Sequence, residues 1–366
     1  MVYPPINPFD TGSRGIARKH GAWSLCLGAG VCMGVLPSWR DLTRELLNAT
    51  GDVSYTAEQF EKLTNATGWG FDAWIQTALN SMLARGGSYG EFVDLVEHVL
   101  YEPLRTRAAT HDVANLLGDA FQNPEGMARG DLHRIAMFVN SAFSTCSVRV
   151  LAGVLSEAVA VGAAPQAVLS FNYDAVLETM IRWLQIFSAQ DRRDGPVPRA
   201  AFRRVTGPAG ASSPGRGSKT SFYYLHGSVL PKPLKQGTRR AHDSRDRIIA
   251  HESSYINIAA TAFSWPQSIF LYHAINDGLI IVGQSLSDPN VRRWLAWSAA
   301  TRSHRSAPHI WLRTRPADAR DASVLEASVS HLGLRIAWLQ NWRELQPALA
   351  NLLALAMADS RTSSVI

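Results

Sequence analysis

The chain has 366 residues, 46% hydrophobic and 18% charged, which is enough apolar material for a real core in one large domain or two smaller ones. Its formal net charge of +6 admits a polyanionic partner. Cys26, Cys32 and Cys146 are the only cysteines and form no C-x-x-C pair, which argues against a disulfide framework and a cysteine-based zinc site.

Met1 to Phe9 carries three prolines and no positive charge, so it does not read as a signal peptide. Residues 1–20 read as an extended arm running into a short helix. The apolar run Trp23 to Leu27 predicts a strand. It breaks into Gly28-Ala29-Gly30, with a further glycine at Gly34. A helix follows from about Pro37 to Ala49, with Leu42, Leu46 and Leu47 at helical spacing. Strand, glycine turn and helix in that order bring backbone N–H groups up to a phosphate and set a positive helix end behind it. The spacing is G-x-G-x-x-x-G rather than the strict dinucleotide pattern, so an ordinary tight turn stays open as the alternative.

From Thr56 to about Ala163 the periodicity is helical throughout. Glu91 to Leu100 shows it, as does His111 to Phe121 with Val113, Leu116 and Leu117 on one face. His98, His111 and His133 fall in this stretch and read as surface or packed side chains rather than ligands. The longest apolar region, Val148 to Phe171, is interrupted by Glu157 and Pro165; it predicts a buried helix leading into a strand, not a membrane span. A cytoplasmic protein without membrane contact is the expectation.

Ala167 to Phe171 is that strand, ending at Asn172-Tyr173-Asp174, and a helix with Val176, Leu177, Met180 and Ile181 follows. Residues 188–220 are rich in Gly, Pro, Ser and Arg and predict a loop or flexible flap. The basic excess between Arg192 and Arg247 could bind nucleic acid. A single aromatic residue, Phe202, stands among its arginines in the Gly/Ser/Pro-rich part, which favours a solvated loop. Ser221 to Leu225 is the next strand, ending at His226-Gly227. A second polar loop leads to a helix from Ser264 to Ile275. Leu279 to Val282 is a strand ending at Gly283-Gln284-Ser285, and Asp288-Pro289 opens a helix with a natural N-cap. A strand His309 to Leu312, a helix Ala317 to His331, a strand Leu334 to Leu339 and a closing helix from about Trp342 to Met357 complete the series.

Alternating strands and helices predict an α/β, Rossmann-like, mostly parallel sheet with helices on both faces and a large helical insertion. Residues 1–55 start the Rossmann-like domain, 56–164 form the insertion, 165–358 complete the domain and 359–366 are a tail. In a parallel sheet Gly28/Gly30, Asn172/Asp174, His226/Gly227 and Gly283/Ser285 all emerge at the carboxyl edge, where ligands bind. Each has a plainer reading as a cap, a packed imidazole or a turn; the four together in this order point to a site.

The segments LGAGVCMGVLPSWRDL, LSFNYDAVLE, YLHGSV and LIIVGQSLSDPNVRRWL resemble the sirtuin family, most closely its bacterial anti-phage branch of sirtuin-like NAD hydrolases. The departures are a missing four-cysteine zinc ribbon, Cys32 where serine is usual, and Ser38-Trp39 where deacylases have aspartate and phenylalanine. These departures suit the hydrolase branch, and no zinc is expected. Cys32 reads as a small buried side chain beside the glycine turn rather than a reactive thiol.

The resemblance implies that NAD is the substrate and is cleaved to nicotinamide and ADP-ribose. It implies Asn172 and His226 as catalytic residues, the first orienting ribose and water, the second acting as base. Asp174 would hold the carboxamide, and Gly28, Ala29 and Gly30 the pyrophosphate, with Arg40 nearby. Ser285, after Gly283, would contact the adenosine ribose. Gating is implied as well, through a homo-oligomer or a partner such as a HerA-type ATPase, with the helical insertion and the basic loop as gating surfaces. The alternatives are an NAD-dependent deacylase or ADP-ribosyltransferase, and a nucleotide-binding sensor without chemistry.

Overall fold

The computed structural model describes residues 3–19, 21–190, 200–208, 219–232, 248–261, 263–302 and 308–356. Seven strands form one sheet: β1 Trp23–Leu27, β2 Ala167–Ser170, β3 Phe202–Val205, β4 Thr220–Tyr224, β5 Gly278–Val282, β6 His309–Thr314 and β7 Leu334–Leu339. Their order is β3-β4-β2-β1-β5-β6-β7, and every pairing is parallel. From β1 the chain adds β2, then the edge strand β3, then β4 between those two; it returns to β5 beside β1 and builds outward on the other side. The strand order therefore reverses between β1 and β5. That reversal opens a crevice at the carboxyl edge of an open α/β sheet.

The central strands are apolar on both faces because both faces are covered. Leu25, Leu27, Ile280 and Val282 point to one side. They meet the helices between β1 and β2, the helix Val176–Gln190 and the closing helix Leu345–Leu353. Cys26, Leu169, Leu279 and Ile281 point to the other, under the helices Glu252–Ala260, Trp265–Asn276, Pro289–Thr301 and Ala319–Val329. Leu25, Leu27, Ile280 and Ile281 are at most 1% exposed, each contributing about 1.5–3 kcal/mol on burial.

Between β1 and β2 the described elements are all helical. The α-helices are Trp39–Thr50, Ala57–Thr67, Phe71–Ala84, Tyr89–Ala109, Leu117–Gln122, Arg129–Phe143 and Ser147–Ala160. Their starts carry the expected chemistry. Thr56 with Gln59, and Ser88 with Glu91, form reciprocal capping boxes that satisfy free N–H groups at two helix ends. His98, His111 and His133 are exposed, with His111 lying against the Phe138 ring.

Three expectations are corrected. The stretch expected to be a loop from 188 to 220 contains the edge strand β3. Its sequence, Phe-Arg-Arg-Val, hides the strand because both central positions are arginine, yet Arg204 is held by Glu178 at 2.8 Å beneath the sheet edge. The polar loop after β4 contains the helix Glu252–Ala260. The helix expected from His111 to Phe121 breaks at Asp112, whose φ is +54°, and only Leu117–Gln122 is α-helical. Most of the basic stretch from Arg192 to Arg247, and the tail 359–366, lie outside the described residues. No described helix is long and apolar enough to cross a membrane.

Candidate active site

The loops after β1 and β5 flank the crevice at the strand reversal, and they interlock. The Gly28 N–H donates to Val282 C=O at 3.0 Å, and the Gly30 N–H to Gly283 C=O at 2.9 Å. Gln284 Nε2 reaches back to Leu27 C=O at 3.0 Å. This closeness is what requires glycine. A Cβ on Gly28 would stand 2.6 Å from the Gly283 oxygen, and one on Gly283, where φ is +71°, would stand 2.5 Å from the Val31 nitrogen. Two of the N–H groups expected to face a pyrophosphate are thus used to lock one loop against the other. The Ala29 N–H takes no such bond among the described residues.

Asn172 follows β2, beside this turn. Its Nδ2 donates to Gly28 C=O at 3.1 Å, and its backbone N–H donates to Ser170 Oγ at 3.2 Å. The amide is 8% exposed, and its Oδ1 accepts from no described residue. Two residues on, Asp174 Oδ1 accepts from the Val176 N–H at 3.0 Å and from Cys32 Sγ at 3.3 Å. The carboxyl therefore caps the next helix and ties it to the glycine turn. Burial pushes its pKa up, and the thiol and helix N–H contacts offset this in part. Burial, then the neighbouring Asp174, pushes the Cys32 thiol well up, so Cys32 is a protonated packing group.

β2 and β4 are neighbours, with Ser170 opposite Tyr224. Asn172 and His226 each lie two residues past that pair, so they leave the same edge of adjacent strands. The His226 ring lies edge-on to Phe171 at 5.0 Å and tilted to Tyr173 at 6.4 Å, the two residues flanking Asn172. The imidazole is 3% exposed, and burial alone lowers its pKa from 6.5 to about 3.

The remaining expected residues stand further out. Ser285 is exposed and shares a 2.7 Å hydrogen bond with Ser287. Asp288 caps the helix Pro289–Thr301 through the Asn290 N–H at 2.8 Å. Arg40 is exposed and paired with Glu61 at 2.8 Å, with no described contact to the glycine turn. Ser38 caps the helix Trp39–Thr50, and Trp39 lies edge-on to Tyr173 at 5.4 Å.

Sequence reasoning missed two residues that shape this rim. Tyr101, fully buried in the helix Tyr89–Ala109, donates to Val229 C=O at 2.8 Å and accepts from the Ala175 N–H at 3.0 Å, joining the segments after Asp174 and His226. Tyr255 lies edge-on to His226 at 5.2 Å. Neither carries a local signal: each acts through partners far away in the chain. Among the described residues, no group of three or more His, Cys, Asp or Glu side chains is gathered as a metal ion would require.

Residues 166–334 match the SIR2-like domain family. The match runs from β2 to the start of β7 and spans less than half of the chain. It takes in Asn172, Asp174, His226, Gly283 and Ser285, while β1 and its glycine turn precede it. This SIR2-like segment supports a sirtuin-like, Sir2-type fold and an NAD-related function. No curated protein matches the chain.

Proposed function

We propose that the protein is a sirtuin-like NAD hydrolase that releases nicotinamide and ADP-ribose. The observation that carries the reading is the shared carboxyl edge of β1, β2 and β4. It brings the glycine turn, the Asn172 amide and the His226 imidazole to one rim. The unused hydrogen-bonding groups fit the ligand: the Ala29 N–H suits a phosphate oxygen, and the Asn172 Oδ1 suits a ribose hydroxyl or a water.

In the reaction, the bond between ribose C1′ and the pyridinium nitrogen breaks. Its electron pair stays on nicotinamide, which leaves neutral and needs no acid. Water adds to C1′ and gives up a proton. Asn172 would hold the ribose and the water; His226 would take the proton. Asp174 would face the carboxamide, although its Oδ1 already serves the helix and Cys32. Ser285 would lie along the adenosine ribose.

An unrestrained NAD hydrolase would exhaust its own cell, so the activity is gated in this reading, by self-assembly or by a partner such as a HerA-type ATPase. Depletion of NAD in anti-phage defence is the matching role. Chromatography of NAD incubated with wild type, Asn172→Ala and His226→Ala tests the class. Free ADP-ribose from wild type alone, with both variants folded by circular dichroism, is the expected result. Label retained on protein or nucleic acid would identify a transferase instead. NAD binding without turnover, with plausible partners present, would leave a sensor.

A further inference from the structure

We infer that Tyr101 is a positioning residue: its hydroxyl is a spacer built between the extensions of β2 and β4, and it sets the gap between the segments that carry Asn172 and His226. The inference deepens the hydrolase reading and rests on it for its catalytic meaning, while the spacer itself stands on hydrogen-bond geometry.

Past the last paired residues, Ser170 and Tyr224, the two strands are still joined by the Leu225 N–H, which donates to Ser170 C=O at 2.9 Å. They part around Asn172 and His226 and meet again at Val229, whose N–H donates to Tyr173 C=O at 2.7 Å. In a parallel pairing a residue gives its N–H to the residue before its partner and takes the N–H of the residue after it. Asp174 is thus the partner of Val229, and the Ala175 N–H is the group that Val229 C=O should take. The phenol stands in that place instead. The Ala175 N–H donates to Tyr101 Oη at 3.0 Å, and Tyr101 Oη donates to Val229 C=O at 2.8 Å.

The register shows the same opening. Ser170 stands opposite Tyr224 but Asp174 opposite Val229, so the β4 side carries one residue more. Gly227, with φ at +83°, turns the chain there. An extra residue on one strand is the bulge geometry that re-aims side chains beside a site.

The helix Tyr89–Ala109 fixes the spacer. Tyr101 is fully buried and lies edge-on to Phe121 at 5.6 Å. One turn earlier, Glu97 Oε1 accepts from the Lys232 N–H at 2.9 Å, and Asp94 pairs with Lys232 Nζ at 2.7 Å. Asp94, Glu97 and Tyr101 share one helix face, which thereby holds both ends of the segment from Val229 to Lys232. Burial, then the neighbouring Asp174, pushes the phenol pKa well up, so the hydroxyl keeps the proton it gives to Val229.

The test compares wild type with Tyr101→Phe as full-length labelled proteins. In wild type the Tyr101 hydroxyl proton should be visible by NMR, slow to exchange, with a nuclear Overhauser contact to the Ala175 amide proton. Absence of that contact overturns the spacer without any variant. Tyr101→Phe keeps the ring and removes the hydroxyl, so Ala175 N–H and Val229 C=O lose their shared partner and the gap changes width. The Asn172 side-chain amide and His226 ring signals should move, while the signals of β6 and β7 stay. Shifts spread over β6 and β7 as well would mark a general loss of packing and overturn the inference. The kcat for nicotinamide release should fall roughly 10- to 100-fold with little change in KM, as expected when a group that acts on the substrate is displaced and the glycine turn is not. Unchanged Asn172 and His226 signals in a folded Tyr101→Phe protein, or an unchanged kcat in an active one, overturn the inference. Signals that move as expected, beside a wild type that releases no nicotinamide with plausible partners present, keep the spacer and remove the hydrolase reading.

Discussion

His226 carries a pH signature at the scale of one side chain. Its imidazole is held neutral by burial, at about 3 against an ordinary 6.5. Between those two values the unfolded chain binds a proton at this position and the folded chain does not. The stabilising contribution is therefore complete above pH 6.5 and is lost as pH falls towards 3. Urea titrations at pH 7 and pH 5 should show wild type losing about 2 kcal/mol more stability than His226→Gln over that interval. His309 is also buried and shifted down, but it is present in both proteins and cancels. Equal losses in the two proteins would show that the imidazole is hydrated. Thiol chemistry gives a second reading at this scale. Cys26 and Cys32 are buried with raised pKa values, and Cys146 is half-buried. Iodoacetamide should label native protein at Cys146 first, with Cys26 and Cys32 following only on unfolding, as peptide mass spectrometry would report.

Among elements, the paired loops after β1 and β5 decide most. Gly283→Ala would place a methyl group within 2.5 Å of Val31 nitrogen at a φ of +71°. The loops would have to part, at a cost of about 2–4 kcal/mol, and Gly28→Ala should behave alike. Thermal denaturation measures the cost, and loss of NAD binding should accompany it. How far such elements could be read from the sequence depended on what defines them. β1, β2 and β5 are short, mostly apolar runs between turns, so local composition alone marks them. β3 is hidden because its arginines find partners distant in the chain, Arg204 in Glu178, 26 residues away, and Arg203 in Ser221. The helix Glu252–Ala260 was hidden because Glu-Ser-Ser-Tyr-Ile-Asn-Ile-Ala-Ala shows no clean apolar stripe. The glycine turn has the look of an anion cradle in the sequence, yet two of its N–H groups, those of Gly28 and Gly30, face Val282 and Gly283, and only the packing of β5 beside β1 reveals that. The same holds for Tyr255, whose ring meets His226 only once the segment after β4 folds back over it.

The whole molecule joins its helical stretch to the rim that carries Asn172 and His226 through the segment from Ile248 to Ala260. On one side this segment holds His226, by the Ile249 N–H and by Tyr255. On the other it is held by helices that precede β2. Gln76 Oε1 lies 3.1 Å from the Ser253 nitrogen and 3.1 Å from His251 Nδ1, and Tyr89 Oη donates to Ile248 C=O at 3.2 Å. These bonds keep Tyr255 over the imidazole, so the helices restrain access to the proposed base. Removing them should loosen the cover, Tyr255 included, while leaving Asn172 and His226 unsubstituted. In the double variant Gln76→Ala, Tyr89→Phe, two to three hydrogen bonds are lost, a loosening of about 1–3 kcal/mol confined to this segment. Amide hydrogen exchange should then quicken across Ile248–Ala260 and stay unchanged in β1, β2 and β5. If the helical stretch gates the site, nicotinamide release by the isolated chain should rise in the same variant. Faster exchange with unchanged or lower turnover would mean that the segment serves only to hold Tyr255, and that the gate lies elsewhere.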